Sequence, residues 1–308
     1  MGANGRMGLS NVTTGVVEVP HRVGLYGPEG IGKTTWAAGA PKPIFLPTEA
    51  GTERIDVARF PAPEKWGDVF DAVASLRTES HDYRTFVVDT VDWLERLIWD
   101  HICKRDGKSH IEDYGYGKGY TVALSEWRRL LAELEALQRD TQMHVVLVAH
   151  AIVAPFKNPL GEDYDRYSLK LYDGKRASAS GLVKEWLEDV LFCNFEDHTY
   201  RDDKQRFKGI GDGARFVYTS HHAGYDAKNR HGLPEKLPLD FSDYLAACAG
   251  AEADAKLIRK EIADLVKELG DKALGKKVRD YVNGGKDVGR LVKARDRLRA
   301  KLLMKEGA

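Results

Sequence analysis

The chain has 308 residues, enough for one substantial α/β domain with an appendage or for two small domains. Hydrophobic residues make up 43% and charged residues 31%, proportions that exclude a fibrous or wholly disordered chain. Lys and Arg number 47 and so do Asp and Glu, so any nucleic-acid surface is a local patch, and the low net charge is compatible with self-association.

Residues 1–17 lack the apolar core of a signal peptide and read as a flexible arm. No apolar run reaches the roughly 18–20 residues that cross a bilayer, so a cytoplasmic protein with no membrane partner is expected. Cys103, Cys193 and Cys248 show no disulfide or metal spacing and read as buried or incidental thiols in a reducing compartment. Arg22–Tyr26 alternates like a short strand and runs into a glycine loop. A helix follows from Lys33 to about Ala40 and is stopped by Pro41 and Pro43. Ile44–Leu46 is a brief buried strand, and residues 63–78 carry Val69, Phe70, Val73 and Leu76 at helical spacing. Thr85–Asp89 is a buried strand ending in an acid, and a helix follows it to about Lys104.

Residues 105–120 are rich in Gly and Tyr and read as irregular; a long amphipathic helix over 121–140 then leads into Val145–His150, the most hydrophobic strand. Residues 151–180 are polar, basic and without a clean period, and read as a loop. Strands are expected at 189–196 and 214–220, and a short helix near Phe241–Ala249. Strands alternating with helices imply a mainly parallel sheet with right-handed crossovers. This core occupies 18–249. Residues 250–308 form a helical extension in which 16 Lys/Arg outnumber 10 Asp/Glu, so the tail is basic inside a neutral protein.

Chemistry is densest at residues 27–34, GPEGIGKT, with the spacing G-x-x-x-x-G-K-T between a strand and a helix. Gly27, Gly30 and Gly32 let the backbone curl so that N–H groups converge on phosphate oxygens. Lys33 supplies charge to the β- and γ-phosphates, and Thr34 offers a hydroxyl to Mg²⁺. Gly27, Pro28, Glu29, Gly30, Ile31, Gly32, Lys33, Thr34 and Thr35 are therefore the candidate phosphate cradle, and ATP with Mg²⁺ the expected ligands. Asp89, at a strand end, is the candidate second metal carboxylate; an Asp in that place also caps a helix well. Glu49 lies just past the strand that follows the P-loop helix, where it projects from the ligand-binding edge of the sheet; it is either a water-positioning group or a solvated loop residue. His150 ends its strand at the same edge, as a γ-phosphate sensor or a satisfied strand-end histidine.

The order of P-loop, TEAGT with Glu49, VVDT with Asp89 and VVLVAH with His150 resembles the RecA-like ATPase core. It looks most like compact phage-encoded ATPases of single-strand annealing and recombination, with YGYGKGY, KEWLEDVLF and ARFVYTS…DAKNRHGLP as supporting segments over roughly 18–248. The resemblance implies that Glu49 polarises the attacking water, Asp89 is the Walker B acid and His150 couples the γ-phosphate to DNA-contacting loops. It implies a homo-oligomer acting on single-stranded DNA, possible cooperation with a single-strand-binding protein, and DNA-stimulated ATP hydrolysis. The region after His150 resembles a disordered DNA loop, in which Lys170, Lys175 and Arg176 either contact phosphates or act on a neighbour's ATP. Lys228 and Arg230, in KNRHG, are expected to touch nucleotide or a neighbouring subunit.

Single-strand binders combine backbone-tracking cations with aromatic platforms. Tyr114, Tyr116 and Tyr120 beside Lys118 fit that description, as do Phe156, Tyr164, Tyr167 and Tyr172 among Lys157, Arg166, Lys170, Lys175 and Arg176; equally, tyrosines of this kind pack loops onto cores. In the tail, Leu257, Ile258, Ile262, Leu265, Val266 and Leu269 make one apolar stripe that suits docking as well as DNA binding. Two other classes remain open: a helicase loader, packaging or protein-remodelling ATPase, and a nucleotide-gated module without turnover.

Overall fold

Val87, Val88, Val146 and Val148 are fully buried although successive residues point to opposite faces, so their strands are covered on both sides. In this computed structural model the described residues are 8, 11–14, 19–201, 207–270, 274, 278 and 288–306. The expected arm over 1–17 lies mostly outside them. They form one compact unit over Pro20–Ala255 and a second comprising Met1–Val19 and Lys256–Ala308.

In the first unit the strands are β1 (Arg22–Gly27), β2 (Pro43–Pro47), β3 (Ala58–Arg59), β4 (Thr85–Asp89), β5 (His144–Phe156), β6 (Tyr164–Leu169), β7 (Asp189–Arg201), β8 (Phe207–Tyr218) and β9 (Lys236–Pro238). The helices are α1 (Lys33–Ala38), α2 (Trp66–Thr78), α3 (Val91–Arg105), α4 (Lys118–Thr141), α5 (Ala179–Trp186) and the start of α6 (Phe241–Leu269). The sheet runs β3-β2-β4-β5-β1-β7-β8-β9. Pairings from β3 to β7 are parallel, and β8 and β9 close the edge antiparallel. The expected α/β class, a mainly parallel sheet flanked by helices with helices C-terminal to it, is what the chain adopts.

Each face carries its own core. Phe86, Val88, Val145 and Leu147 pack with α2, α3 and α4, around Trp66 and Trp127. Val23, Leu25, Val87, Val146 and Val148 pack with Trp36 of α1 and with Phe241, Tyr244 and Cys248 of α6. All three cysteines are buried. In the second unit, α6 continues through Ile258 and Ile262, and α7 (Val288–Glu306) supplies buried Leu291 and Leu298. Arg295 and Arg299 both reach Glu261, so some of the tail's basic charge is spent within the helical pair. Leu257, expected on the apolar stripe, is 58% exposed. No helix among the described residues is long and apolar enough to cross a membrane.

Three segments depart from the sequence expectation. Residues 151–169 are not a loop: β5 runs on past His150 to Phe156 and pairs antiparallel with β6, from Ala151↔Leu169 to Phe156↔Tyr164. The outer part of this hairpin projects from the sheet, with Ile152, Val153 and Pro155 exposed, while its base returns to the core through Tyr167 and buried Leu169, so no sustained apolar alternation marks it. The irregular segment before α4 contains a 3-10 turn at Ile111–Tyr114, and α4 begins at Lys118. The helix expected over Phe241–Ala249 continues to Leu269.

The KNRHG segment is built into the fold. Lys228 exchanges backbone hydrogen bonds with Val190 of β7, at 2.7 and 2.9 Å. Its ammonium donates to the carbonyls of Lys184 at 2.8 Å and Leu187 at 2.6 Å, which caps the C-terminus of α5. Asn229 Oδ1 accepts from the backbone of Gly232 and Leu233 and closes the turn. Arg230 is exposed. Lys228→Met leaves those carbonyls without the charge that satisfies them and is expected to cost about 2 kcal/mol in urea unfolding.

Glu95, on α3, is buried and accepts from Trp127 Nε1 at 3.2 Å and from the backbone of Tyr172 at 2.9 Å. Burial outweighs these bonds and pushes its carboxyl up to about 7. From the ordinary value near 4.5 up to 7, the folded chain holds a proton that the unfolded chain has released. Stability from this group therefore falls as pH rises through that window. Glu95→Gln, which does not titrate, is expected to gain on the wild type by about 2–3 kcal/mol between pH 4.5 and 8, read as the difference in unfolding free energy at the two pH values.

Candidate functional site

Three strands, β1, β2 and β4, end at one edge of the sheet, where β5 passes through at His150. Gly27 ends β1 directly beside His150 on β5, and Asp89 ends β4 beside Val148. Glu49 follows β2 by two residues. The phosphate loop therefore stands on the strand next to His150, with Asp89 one strand further on.

The loop has the backbone such a cradle needs. Gly30 and Gly32 adopt φ of 74° and 109°, in the left-handed region that other residues enter at a cost. A Cβ on Gly27 would overlap the backbone and thiol of Cys193 on β7, so this glycine is required for close strand packing. Ile31 points its side chain into the core, Pro28 is half-buried, and Glu29 and Thr35 are exposed at the rim. Lys33 is buried, and its ammonium donates to the carbonyls of Gly27 at 3.1 Å and Pro28 at 2.8 Å. Burial lowers its pKa, opposed chiefly by Cys193 and then by the acids Asp89, Asp92 and Glu49.

Thr34 Oγ1 donates to Asp89 Oδ2 at 2.7 Å, so a hydroxyl from α1 and a carboxylate from β4 meet at one point. Asp89 is 4% exposed, and burial raises its carboxyl against the pull of Thr34, Lys33 and His150. Two hard oxygen donors beside a lysine, at the start of a helix and next to a glycine loop in left-handed conformation, fit Mg²⁺ with a polyphosphate.

Glu49 and His150 form a second group. His150 Nδ1 lies 3.0 Å from Asp92 Oδ2, and its backbone N–H donates to Asp92 Oδ1, also at 3.0 Å. The carboxylate assigns the ring proton to Nδ1, which turns Nε2 towards Glu49 at 3.7 Å, beyond hydrogen-bonding distance. Burial raises the Glu49 carboxyl; His150 opposes this, while Asp92 and Asp89 reinforce it. Burial also pushes Asp92 upwards, but its bonds with His150 outweigh that and hold it below the usual carboxylate range.

Two residues of this site escape sequence reading. Asp92 holds His150 by side chain and backbone together; its signal is the acid pair Asp92 and Glu95, one turn apart on an otherwise apolar helix start. Arg215, on β8, donates to the Ile31 carbonyl at 3.2 Å and so steadies the P-loop from across the sheet. Its signal is a single cation inside the strand-like run ARFVY.

The candidate DNA residues are placed differently. Lys170 is half-buried; its backbone N–H donates to the His150 carbonyl at 2.9 Å as the chain returns from the hairpin. Lys175 and Arg176 are exposed in the turn before α5, and Lys118 is exposed at the start of α4. Tyr120 and Tyr172 stack on each other, with centroids 3.5 Å apart and planes within 6°, which joins the start of α4 to the segment carrying Lys170, Lys175 and Arg176. Tyr114 is tied to the Ile102 carbonyl and to Asp106, whereas Tyr116 is 86% exposed. Lys228 and Arg230 belong to the segment beside β7, away from the P-loop group.

Among known proteins, the chain is 27% identical over 135 residues to the SPbeta prophage-derived uncharacterized protein YorG of Bacillus subtilis (strain 168). That match covers 41% of this chain and 40% of the prophage protein's length. A crystal structure of the RadB recombinase aligns over 67% of this chain and 84% of its own, at 15% identity and a TM-score of 0.38. Residues 20–231, which hold the P-loop, Glu49, Asp89 and His150, match the AAA domain family. The core is an α/β P-loop fold with a mainly parallel sheet, as expected from the sequence, and the chain belongs to the AAA domain family.

Proposed function

We propose that this chain is a DNA-stimulated ATPase of recombination that binds single-stranded DNA and promotes annealing, working as a homo-oligomer in the cytoplasm of a phage-infected host. The observation that carries the reading is the placement of His150. One side of its ring meets Asp92, the other faces Glu49, and the same strand runs on without a break into the exposed β5–β6 hairpin. A change at the γ-phosphate end of the site is thereby transmitted along β5 to a surface rich in aromatic and basic groups. On that hairpin Lys157 is exposed and the Phe156 and Tyr164 rings meet at 5.2 Å, a cation and aromatics of the kind that follow a nucleic-acid strand, while Arg166 lies over Phe156 at 4.0 Å and pairs with Asp226 at 3.5 Å.

In hydrolysis, the loop amides and the positive end of α1 bind the phosphates, and Lys33 turns from the Gly27 and Pro28 carbonyls to the β- and γ-oxygens. Thr34 and Asp89 would hold Mg²⁺, which neutralises charge on the phosphates as they separate. Glu49 aligns the attacking water and takes up its proton, a role suited to a carboxyl raised by burial. His150, held by Asp92, limits where Glu49 can stand. Lys118, Lys170, Lys175 and Arg176 are proposed either to contact DNA phosphates or to reach a neighbouring subunit's ATP, and a single-strand-binding protein is a proposed partner. Lys228 and Arg230 are proposed to support the subunit surface near α5.

One observation favours a second reading, an ATPase that acts on protein as a helicase loader or remodelling factor. Ile152 and Val153 of the hairpin are 45% and 55% exposed, an apolar edge that suits a protein partner as well as bases.

Steady-state ATP hydrolysis with single-stranded DNA, duplex or neither decides between them. Stimulation by single strands well above that by duplex is expected; unchanged turnover with DNA, rising with a protein partner, replaces the first reading by the second. Glu49→Gln is expected to lower kcat by about 10²–10⁴-fold while ATP still binds. Lys33→Ala is expected to lose both binding and turnover. If Glu49→Gln turns over normally, another group positions the water.

A further inference from the structure

At the other end of β1 from the P-loop, three strands begin with polar residues turned inward. His21 directly precedes β1, His144 opens β5 and Asp189 opens β7. Asp189 is fully buried and satisfied on both oxygens: Oδ1 accepts from the Arg230 backbone at 2.9 Å, and Oδ2 from Tyr244 at 2.7 Å. The same Oδ2 lies 2.7 Å from Nδ1 of His231, in the turn that follows KNR. A carboxylate in that position assigns the His231 proton to Nδ1 and leaves Nε2 as a donor of electrons.

Nε2 of His231 points at Nδ1 of His21, 3.1 Å away. Both rings are held in place. His21 stacks on His144, with centroids 5.2 Å apart and planes 14° from parallel, and meets His231 edge-on at 4.5 Å. Its backbone N–H donates to His144 Nδ1 at 2.9 Å. Cys248, on α6 one turn after Tyr244, completes the group: its sulfur and the two histidine nitrogens all lie within 4.8 Å of one another. His231 and Cys248 are 4% and 2% exposed.

We propose that His21, His231 and Cys248 form a structural metal site that takes Zn²⁺. Two imidazoles and a thiolate are the donor set that this ion selects over Mg²⁺ or Ca²⁺. Zn–N bonds of about 2.0–2.1 Å put the two nitrogens of a tetrahedral site roughly 3.3 Å apart, close to the 3.1 Å between His21 and His231. Asp189 fills the place of the carboxylate that commonly accepts the second N–H of a zinc-bound histidine and fixes its ring. Water takes the fourth position from the side of His21, the least buried of the three. The ion ties the start of β1 to the turn after β8 and to α6, and so clamps the P-loop strand from the end where no nucleotide chemistry occurs.

The test is metal analysis of the full-length chain, expressed without a histidine tag, together with its cobalt-substituted form. About one zinc per chain is expected after desalting, and the Co²⁺ form is expected to show tetrahedral visible bands with a thiolate-to-cobalt charge-transfer band. Cys248→Ser is expected to lose that band and retain less than a tenth of the zinc. Because this variant can also unfold, the wild type is melted with and without a strong chelator: a lower Tm that zinc restores and magnesium does not supports the site. Substoichiometric zinc with no thiolate band overturns the proposal, and leaves the cluster as hydrogen-bonded packing. A thiolate band that persists in Cys248→Ser overturns it as well, by placing the metal on another cysteine.

Discussion

The bond between Thr34 and Asp89, 2.7 Å long, sets the terms for the rest of the core. These residues are 55 positions apart and come from opposite sides of an intervening strand, so they meet only if β1 and β4 end at nearly the same height on either side of β5. Parallel pairing in fixed register delivers this, with Gly27 level with His150 and Asp89 level with Val148. Register of that kind is held by burial on both faces, since a slip by one residue would exchange Val146 and Val148 with Val145 and Leu147 between two differently shaped cores. The cost of gathering Asp89, Asp92, Glu49 and Lys33 in one place appears as displaced pKa values: burial drives those of Asp89, Glu49 and Lys33, whereas at Asp92 the bonds with His150 overcome burial.

What was legible in the sequence is what burial writes into it. β4 and the first half of β5 are runs of Val and Leu because both their faces are covered, and α4 shows its stripe because one face meets the sheet. The P-loop was legible because its spacing is a backbone requirement, seen in the positive φ of Gly30 and Gly32. The hairpin after His150 was not, because it is buried only near its base, at Leu169, so its outer part needs no apolar alternation and its tyrosines and cations resemble those of a loop. Asp92 and Arg215 were hidden for another reason: their partners, His150 and the Ile31 carbonyl, lie 58 and 184 residues away.

Distance along the chain also separates what KNRHG offers from what it does. Lys228 looks like a ligand-binding cation, yet its ammonium serves the last carbonyls of α5, and Asn229 folds the turn. His231, the least conspicuous member by composition, is the one drawn into the buried group with Asp189, His21 and Tyr244. A segment that fixes both the end of a helix and the start of two strands is held by geometry whether or not it ever touches nucleotide.

Helix α3 gives the core its mechanical connection. Asp92 grips His150 where β5 leaves the sheet for the hairpin, and one turn later Glu95 grips the Tyr172 backbone, where the chain has returned from it. Lys170 bonds back to the His150 carbonyl between these two points. Both legs of the hairpin are therefore anchored to one rigid helix whose first turn follows directly on Asp89. Were Glu49 or His150 to move with the state of a bound phosphate, the displacement would have two routes out of the site. One bends β5 beyond residue 150; the other shifts α3 and carries both legs together. The second keeps the bonds of α3 to His150 and Tyr172 intact and displaces the hairpin as a unit.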